Sequence, residues 1–246
     1  MKAMILAAGL GTRLRPITDT RPKALVEVAG RTPLEITVSR LSSFGVRDVI
    51  INVHHFADMV VECLKANDNF GFHIEISREE RLLDTGGGLK KASWFFLQDS
   101  SDEPFLLHNV DVLSTIDLHR MVQFHKEKQA LATLAVQNRE SSRQLLFDRA
   151  LRLCGRQRGP DQNAEIVCSS TDPRPLAFSG IHVISPRLLR MLQEEDVFSI
   201  IDSYLNLAAR GENILAFESD KYYWRDLGRP EDLKQATEDL KRGISF

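Results

Sequence analysis

The stretch Met4-Ile5-Leu6-Ala7-Ala8-Gly9-Leu10-Gly11-Thr12-Arg13-Leu14 decides how the rest of the chain is read. A dense apolar run as short as Met4-Ile5-Leu6, closed by Ala7-Ala8-Gly9, predicts a buried first strand that enters a loop at the carboxyl edge of a sheet. The segment from Gly9 to Lys23 then combines glycines 9 and 11 with Arg13, Arg15, Arg21 and Lys23. Glycine lets the main chain turn tightly and aim its amides into a shared concavity, while arginine offers a planar fork and lysine a compact charge. These are complementary devices for a polyphosphate. The competing reading is a solvated turn with ordinary surface charges. Two standard explanations of such glycines fail: a dinucleotide fingerprint needs a third glycine where Leu14 stands, and the Gly-x-x-x-x-Gly-Lys-Ser/Thr loop is absent.

Working outward, apolar spacing predicts a helix over 34–44 ended by Gly45, a strand over 49–53, a helix over 58–64 and a strand around Ile74 and Ile76. A helix over 89–97 follows three consecutive glycines, and a strand over 104–107 delivers Asn109-Val110-Asp111 to its carboxyl end. A helix over 118–125 and a strand over 131–136 complete this half. From 141 to 175 short apolar pieces at 145–147 and 166–167 are divided by Arg, Gly, Asp and Pro, which predicts a small antiparallel excursion. A long strand over 176–184, helices over 188–192 and 200–209, a strand over 214–217 and a last helix opened by Pro230 finish the chain. The expected fold class is α/β: a Rossmann-like three-layer sandwich with a predominantly parallel mixed sheet and a small inserted antiparallel lobe. No repeat or flexible linker divides it, so residues 1–246 are expected to form a single domain.

The 32 Lys and Arg nearly cancel the 34 Asp and Glu, and a net charge of -2 provides no overall basic field for nucleic acid or anionic lipid. Cys63, Cys154 and Cys168 are too few and too scattered for a disulfide framework, and no Cys/His grouping has zinc spacing. No segment approaches the length of a membrane span, so a cytoplasmic protein acting on neither membrane nor nucleic acid is expected, as monomer or homodimer.

Asp111 and Asp226 each follow an apolar or aromatic segment that can carry a carboxylate to the same sheet edge. Together they could hold Mg²⁺, which needs only one or two carboxylates when substrate phosphates and waters complete its shell. Alternatively, Asp111 ends a strand and Asp226 caps the final helix. Thr85-Gly86-Gly87-Gly88 opens a helix whose backbone could lie flat against a base or ribose, unless it is simply a flexible turn.

The composite of residues 6–14 with Lys23, Thr85-Gly86-Gly87-Gly88, the Asp111 segment, Phe178-Ser179-Gly180-Ile181 and Trp224-Arg225-Asp226-Leu227-Gly228 closely resembles the sugar-1-phosphate nucleotidyltransferases. That resemblance covers most of the chain. It implies that Gly9, Gly11 and Thr12 help bind a nucleoside triphosphate, that Arg13 and Lys23 hold its phosphates as the catalytic cations, and that Asp111 and Asp226 coordinate Mg²⁺. It also implies that Ala8 and the Gly86-Gly87 backbone border the nucleobase. Asn109, Ser179 and Gly180 would meet a sugar 1-phosphate, with residues 141–175 as the sugar-side lobe. Within the family the chain looks most like the bacterial N-acetylmuramate-1-phosphate uridylyltransferases, which favours UTP.

Some positions depart from the family pattern. Ala24 stands where proline commonly follows the lysine, Thr32 precedes the proline-leucine pair, and Val110 replaces a glycine before Asp111. The Glu-Lys-Pro segment that supplies a sugar-phosphate lysine in several relatives is missing. Arg225 is the expected substitute, with Arg156 or Arg158 as alternatives. Competing readings are a sugar-phosphate guanylyltransferase, a related cytidylyltransferase, a structural subunit of a larger transferase, and a nonenzymatic sugar-nucleotide sensor.

Overall fold

The computed structural model describes residues 1–99, 101–159, 164–169 and 172–244. In chain order its first half contains β1 (Lys2–Leu6), α1 (Pro33–Ser43), β2 (Asp48–Val53), α2 (Ala57–Ala66), β3 (His73–Arg78), α3 (Asp84–Lys91), α4 (Ser93–Leu97), β4 (Phe105–Asn109), β5 (Val112–Ser114), α5 (Leu118–Glu127) and β6 (Ala132–Gln137). The second half contains β7 (Arg143–Phe147), β8 (Leu153–Arg158), β9 (Glu165–Ile166), β10 (Arg174–Ile184), α6 (Ile200–Ala209), β11 (Ile214–Glu218), β12 (Trp224–Asp226) and α7 (Pro230–Lys241).

Strand β1 lies between β2 and β4, parallel to both, and β3 extends the parallel set beyond β2. On the far side of β4 the direction reverses once, in β10, and β6 and β11 then resume it. Alternation along β1 sorts its side chains: Met4 packs in one core with Leu89, Phe95, Phe96 and Tyr204, while Ala3 and Ile5 pack in the other with Leu34, Val38, Val60 and Met121. Helices α3, α4 and α6 therefore cover one face of the sheet, and α1, α2 and α5 the other. This is the expected three-layer α/β arrangement. Because α1 carries the chain from β1 outward to β2, while α3 and α4 carry it from β3 back past β1 to β4, the sheet has a switch point between β1 and β4, where ligands of such folds lie.

The antiparallel excursion is present as β7, β8 and β9, joined to the sheet through Arg174–Leu176 of β10. Residues 160–163 and 170–171 of the expected 141–175 lobe lie outside the described residues. Among the described residues, no helix is long and apolar enough to cross a membrane.

Thr32 has a local explanation. Its hydroxyl accepts the Glu35 N–H at 3.1 Å while Pro33 fills the first helical turn, so it caps α1. Two expected helices differ. Residues 188–191 fall in a 3₁₀ turn over Pro186–Met191, which ends before Leu192. The helix expected over 89–97 is broken into α3 and α4, and α3 begins at Asp84, so the three glycines lie inside it.

A third, small core joins Leu14, Val26 and Val28 of the opening loop to Ile36 of α1, Leu113 of β5, Leu227, and Leu233 and Ala236 of α7. It fastens the loop to the two elements that carry the acidic residues.

Candidate functional site

Asp111 and Asp226 are 115 positions apart in sequence and adjacent in space because β5 pairs with β12. The register sets Asp226 opposite Val112, and the Leu227 N–H donates to the Asp111 carbonyl at 2.8 Å. Asp226 does not cap the final helix, since α7 is preceded by Arg229 with no side-chain cap, and Asp111 occupies the turn between the end of β4 and β5.

Lys23 is nearly buried and faces both carboxylates. Its ammonium donates to Asp111 Oδ2 and lies 3.7 Å from Asp226 Oδ1, while Arg13 Nη2 stands 3.9 Å from Asp226 Oδ2. Burial and the neighbouring Asp111 charge push the Asp226 carboxyl above its ordinary range, against the pull of Lys23 and Arg13. Asp226 Oδ1 is buried without a hydrogen-bond partner. Two converging carboxylates, one with an unsatisfied oxygen, suit a hard divalent cation. Among the described residues no cluster of three His, Cys, Asp or Glu side chains that could hold a metal is assembled, so a cation held here would draw on other ligands as well. Gly228 adjoins the same group: a Cβ there would stand 2.7 Å from Asp226 Oδ1 and 2.8 Å from Arg13 Nη2, so a side chain would displace that pair.

Asp111 and Lys23 line a cleft of about 420 Å³ at the switch point, and Asp226 stands behind them against Lys23. Ala8, Gly9, Lys23, Asn109 and Asp111 form one wall, and Leu82, Thr85 and Val197 contribute to the other. Its floor is a buried network that the sequence did not disclose. Asn52 accepts the Ala7 N–H at 2.8 Å and donates to Glu79 Oε1 at 2.7 Å, and Glu79 Oε2 accepts the Leu83 N–H at 2.9 Å. These bonds tie the end of β1 to the start of α3 and hold the cleft's width.

The two opening glycines serve different needs. Gly11 adopts φ +65°, and a Cβ there would meet Thr18 Cγ2 at 2.9 Å. Gly9 has no atom within 4 Å of where its Cβ would be, so the protein itself does not require it to be glycine. Thr12 starts the 3₁₀ turn that carries Arg13.

Gly86 and Gly87 are not among the residues lining this cleft. Their N–H groups donate to the Phe198 carbonyl, and a Cβ would stand 2.3 Å from the Phe198 ring at Gly86 and 2.4 Å from the Asp196 carbonyl oxygen at Gly87. The close approach that excludes a side chain comes from the protein, which corrects the expectation that this backbone is left free for a base. Thr85, beside them, does line the cleft, although its hydroxyl also accepts the Ile200 N–H at 3.0 Å.

On the other side, Gly180 adopts φ +74°, and a Cβ there would be 2.9 Å from Asn109 Nδ2. Ser179 is fully buried; its carbonyl accepts the Trp224 indole N–H at 2.8 Å and its hydroxyl has no partner. Val110, which stands where relatives often have glycine, packs in the α1-side core and is also among the residues lining the cleft.

Arg225 is also corrected. Alternation in β12 sends it away from the face of Trp224 and Asp226, and its guanidinium bonds the Tyr223 hydroxyl at 2.9 Å and Asp239 Oδ2 at 3.1 Å. Arg156 is held by Glu165 and Asp202. Arg158 ends β8, exposed, opposite Arg143. The cation beside the site is Arg139, whose guanidinium lies 3.7 Å from the centre of the Trp224 ring. Burial pushes its pKa down while Asp226 opposes that shift. Its one sequence signal was position, immediately beyond the carboxyl end of β6.

A model of the nucleotidyl transferase family matches residues 2–145. A mannose-1-phosphate guanyltransferase of Yarrowia lipolytica is 30% identical over 96% of this chain, which spans 63% of that protein's length. An N-acetylmuramate alpha-1-phosphate uridylyltransferase of Caulobacter vibrioides is 46% identical over 112 residues, 44% of this chain and 45% of that protein. The crystal structure of a UDP-glucose pyrophosphorylase complexed with UDP-glucose superposes with a TM-score of 0.79 at 19% identity, covering 99% of each chain, which is a likeness of fold.

Proposed function

The chain belongs to the nucleotidyl transferase family, and from that premise we propose that it transfers a nucleoside monophosphate from a nucleoside triphosphate to a sugar 1-phosphate. The observation that carries this reading is the β5–β12 ribbon, which sets Asp111 and Asp226 beside Lys23 at the end of the glycine loop. In the proposed reaction an oxygen of the sugar phosphate attacks the α-phosphorus in line. The new P–O bond forms as the bond to pyrophosphate breaks, and pyrophosphate leaves with the electron pair. The attacking phosphate is already largely ionised near neutral pH, so no side chain needs to take a proton.

The chain's own contribution is positioning and charge. Gly9 leaves the phosphates room to approach the backbone, and Lys23 and Arg13 lower the repulsion between the two anions and stabilise charge developing at the transition state. Asp111 and Asp226 would hold Mg²⁺, which when bound neutralises phosphate oxygens.

Two substrate pairs have specific support. UTP with N-acetylmuramate 1-phosphate rests on the high identity of the 112-residue match to the Caulobacter vibrioides protein. GTP with mannose 1-phosphate rests on the longer match to the Yarrowia lipolytica protein. A pyrophosphate-release assay crossing UTP, GTP and CTP with both sugar phosphates, in the presence of Mg²⁺, tests the reading and separates the pairs. Binding of nucleotide without turnover of any pair would instead favour a sensor.

A further inference from the structure

A half-buried guanidinium without a carboxylate ion pair stands beside the acidic pair. Arg139 follows β6 at the carboxyl edge of the sheet, stacks on the Trp224 indole at 3.7 Å and donates from Nη2 to the Phe178 carbonyl at 2.8 Å. Trp224 donates in turn to the Ser179 carbonyl at 2.8 Å. The stack is thus anchored twice to the stretch of β10 where the register slips between Phe178 and His182. Trp224 and Asp226 share one face of β12, so Arg139 lies on the Asp226 side of the ribbon.

Its charge is incompletely compensated. Nε is buried without a partner, and among the described residues the guanidinium makes no ion pair with a carboxylate. Taking a cation partly out of water without a counter-charge is unfavourable, and stacking on an indole offsets only part of that. The same stacking and the Phe178 carbonyl fix the plane of the fork, so little rotamer freedom is left to lose when an anion binds. Of the other cations considered for this role, Arg225 is held by Asp239 and Arg156 by Glu165 and Asp202, and Arg158 is exposed at the end of β8 opposite Arg143.

We infer that Arg139 is the residue that receives the phosphate of the acceptor, bringing that anion to the Asp226 face of the β5–β12 ribbon, beside the cleft, while Lys23 and Arg13 hold the nucleotide. This rests on the proposed reaction. It differs from a purely structural staple between β10 and β12, which would affect both substrates alike.

The test uses whichever nucleotide and sugar 1-phosphate the parent protein turns over fastest in the crossed assay. Arg139→Ala is expected to raise KM for the sugar 1-phosphate by about tenfold or more, with KM for the nucleotide changed by less than about twofold. Arg139→Lys, which keeps the charge and loses the fork, is expected to recover part of that increase and supplies the same comparison if the alanine variant fails to fold. An equal rise in both KM values, or an unchanged sugar-phosphate KM in a folded variant, overturns the assignment. A parent that turns over no pair overturns the proposed reaction itself, and the inference falls with it.

Discussion

The opening loop and helix α3 are both glycine-rich, both sit at the carboxyl edge of the sheet, and both read in sequence as backbone left bare for a ligand. They are bare for different reasons. Gly9 lines the cleft with nothing within 4 Å of its missing Cβ, whereas at Gly86 that space is taken by the Phe198 ring at 2.3 Å. A glycine records that something comes close to the backbone, and only the folded chain reveals whether that is a substrate or another part of the protein. The loop leaves open space at Gly9 and brings Lys23 and Arg13 to the acidic pair. Helix α3 instead uses its glycines to seat the 196–198 segment, which brings Val197 to the cleft wall.

The most severe way to probe the contrast is at the loop's charge. Lys23→Ala should lower kcat by about 10³-fold while circular dichroism shows a folded protein, because the ammonium acts mainly where charge develops. Asp111→Asn comes next. An amide of similar shape but no charge should cut the rate by about 10²-fold and raise the Mg²⁺ concentration needed for half-maximal turnover, as a metal titration of the variant would show. In α3 the effect should move from rate to stability: Gly86→Ala forces a methyl against Phe198 and should destabilise by about 2 kcal/mol in urea unfolding, with KM for the nucleotide little changed in the folded fraction. The mildest test is Gly9→Ala. It should leave stability unchanged or raise it by up to about 1 kcal/mol, yet increase KM for the nucleotide by about tenfold. If Gly9→Ala destabilised the protein while Gly86→Ala left stability intact and impaired nucleotide binding, the two glycine regions would have to exchange roles.

Much of the frame was legible because it depends on local pattern. The apolar run of β1 and the apolar spacing of α1, α2, α5 and α6 are set within a few residues, where hydrophobic period speaks directly. The Asp111 carboxylate was legible for the same reason, since it follows a strand that announces itself. Ribbon β5–β12 was not, because strands of three residues are too short to show alternation. Without that alternation Arg225 and Asp226 could not be assigned to opposite faces, and Arg225 was placed with the substrate. Arg139 escaped notice because nothing near it in sequence predicts Trp224, 85 positions later, as its platform.

By itself the amino-acid sequence determined the order of most of the longer strands and helices, the cationic glycine loop and its kinship, since apolar periodicity and motif spacing act over short stretches of chain. Only the tertiary structure decided which glycines face open space, which arginine stands beside Asp226, and that Asp111 and Asp226 meet at all. Those outcomes depend on strand register and on contacts between segments a hundred residues apart, and one residue of slip in β12 would turn Asp226 away and bring Arg225 to the site.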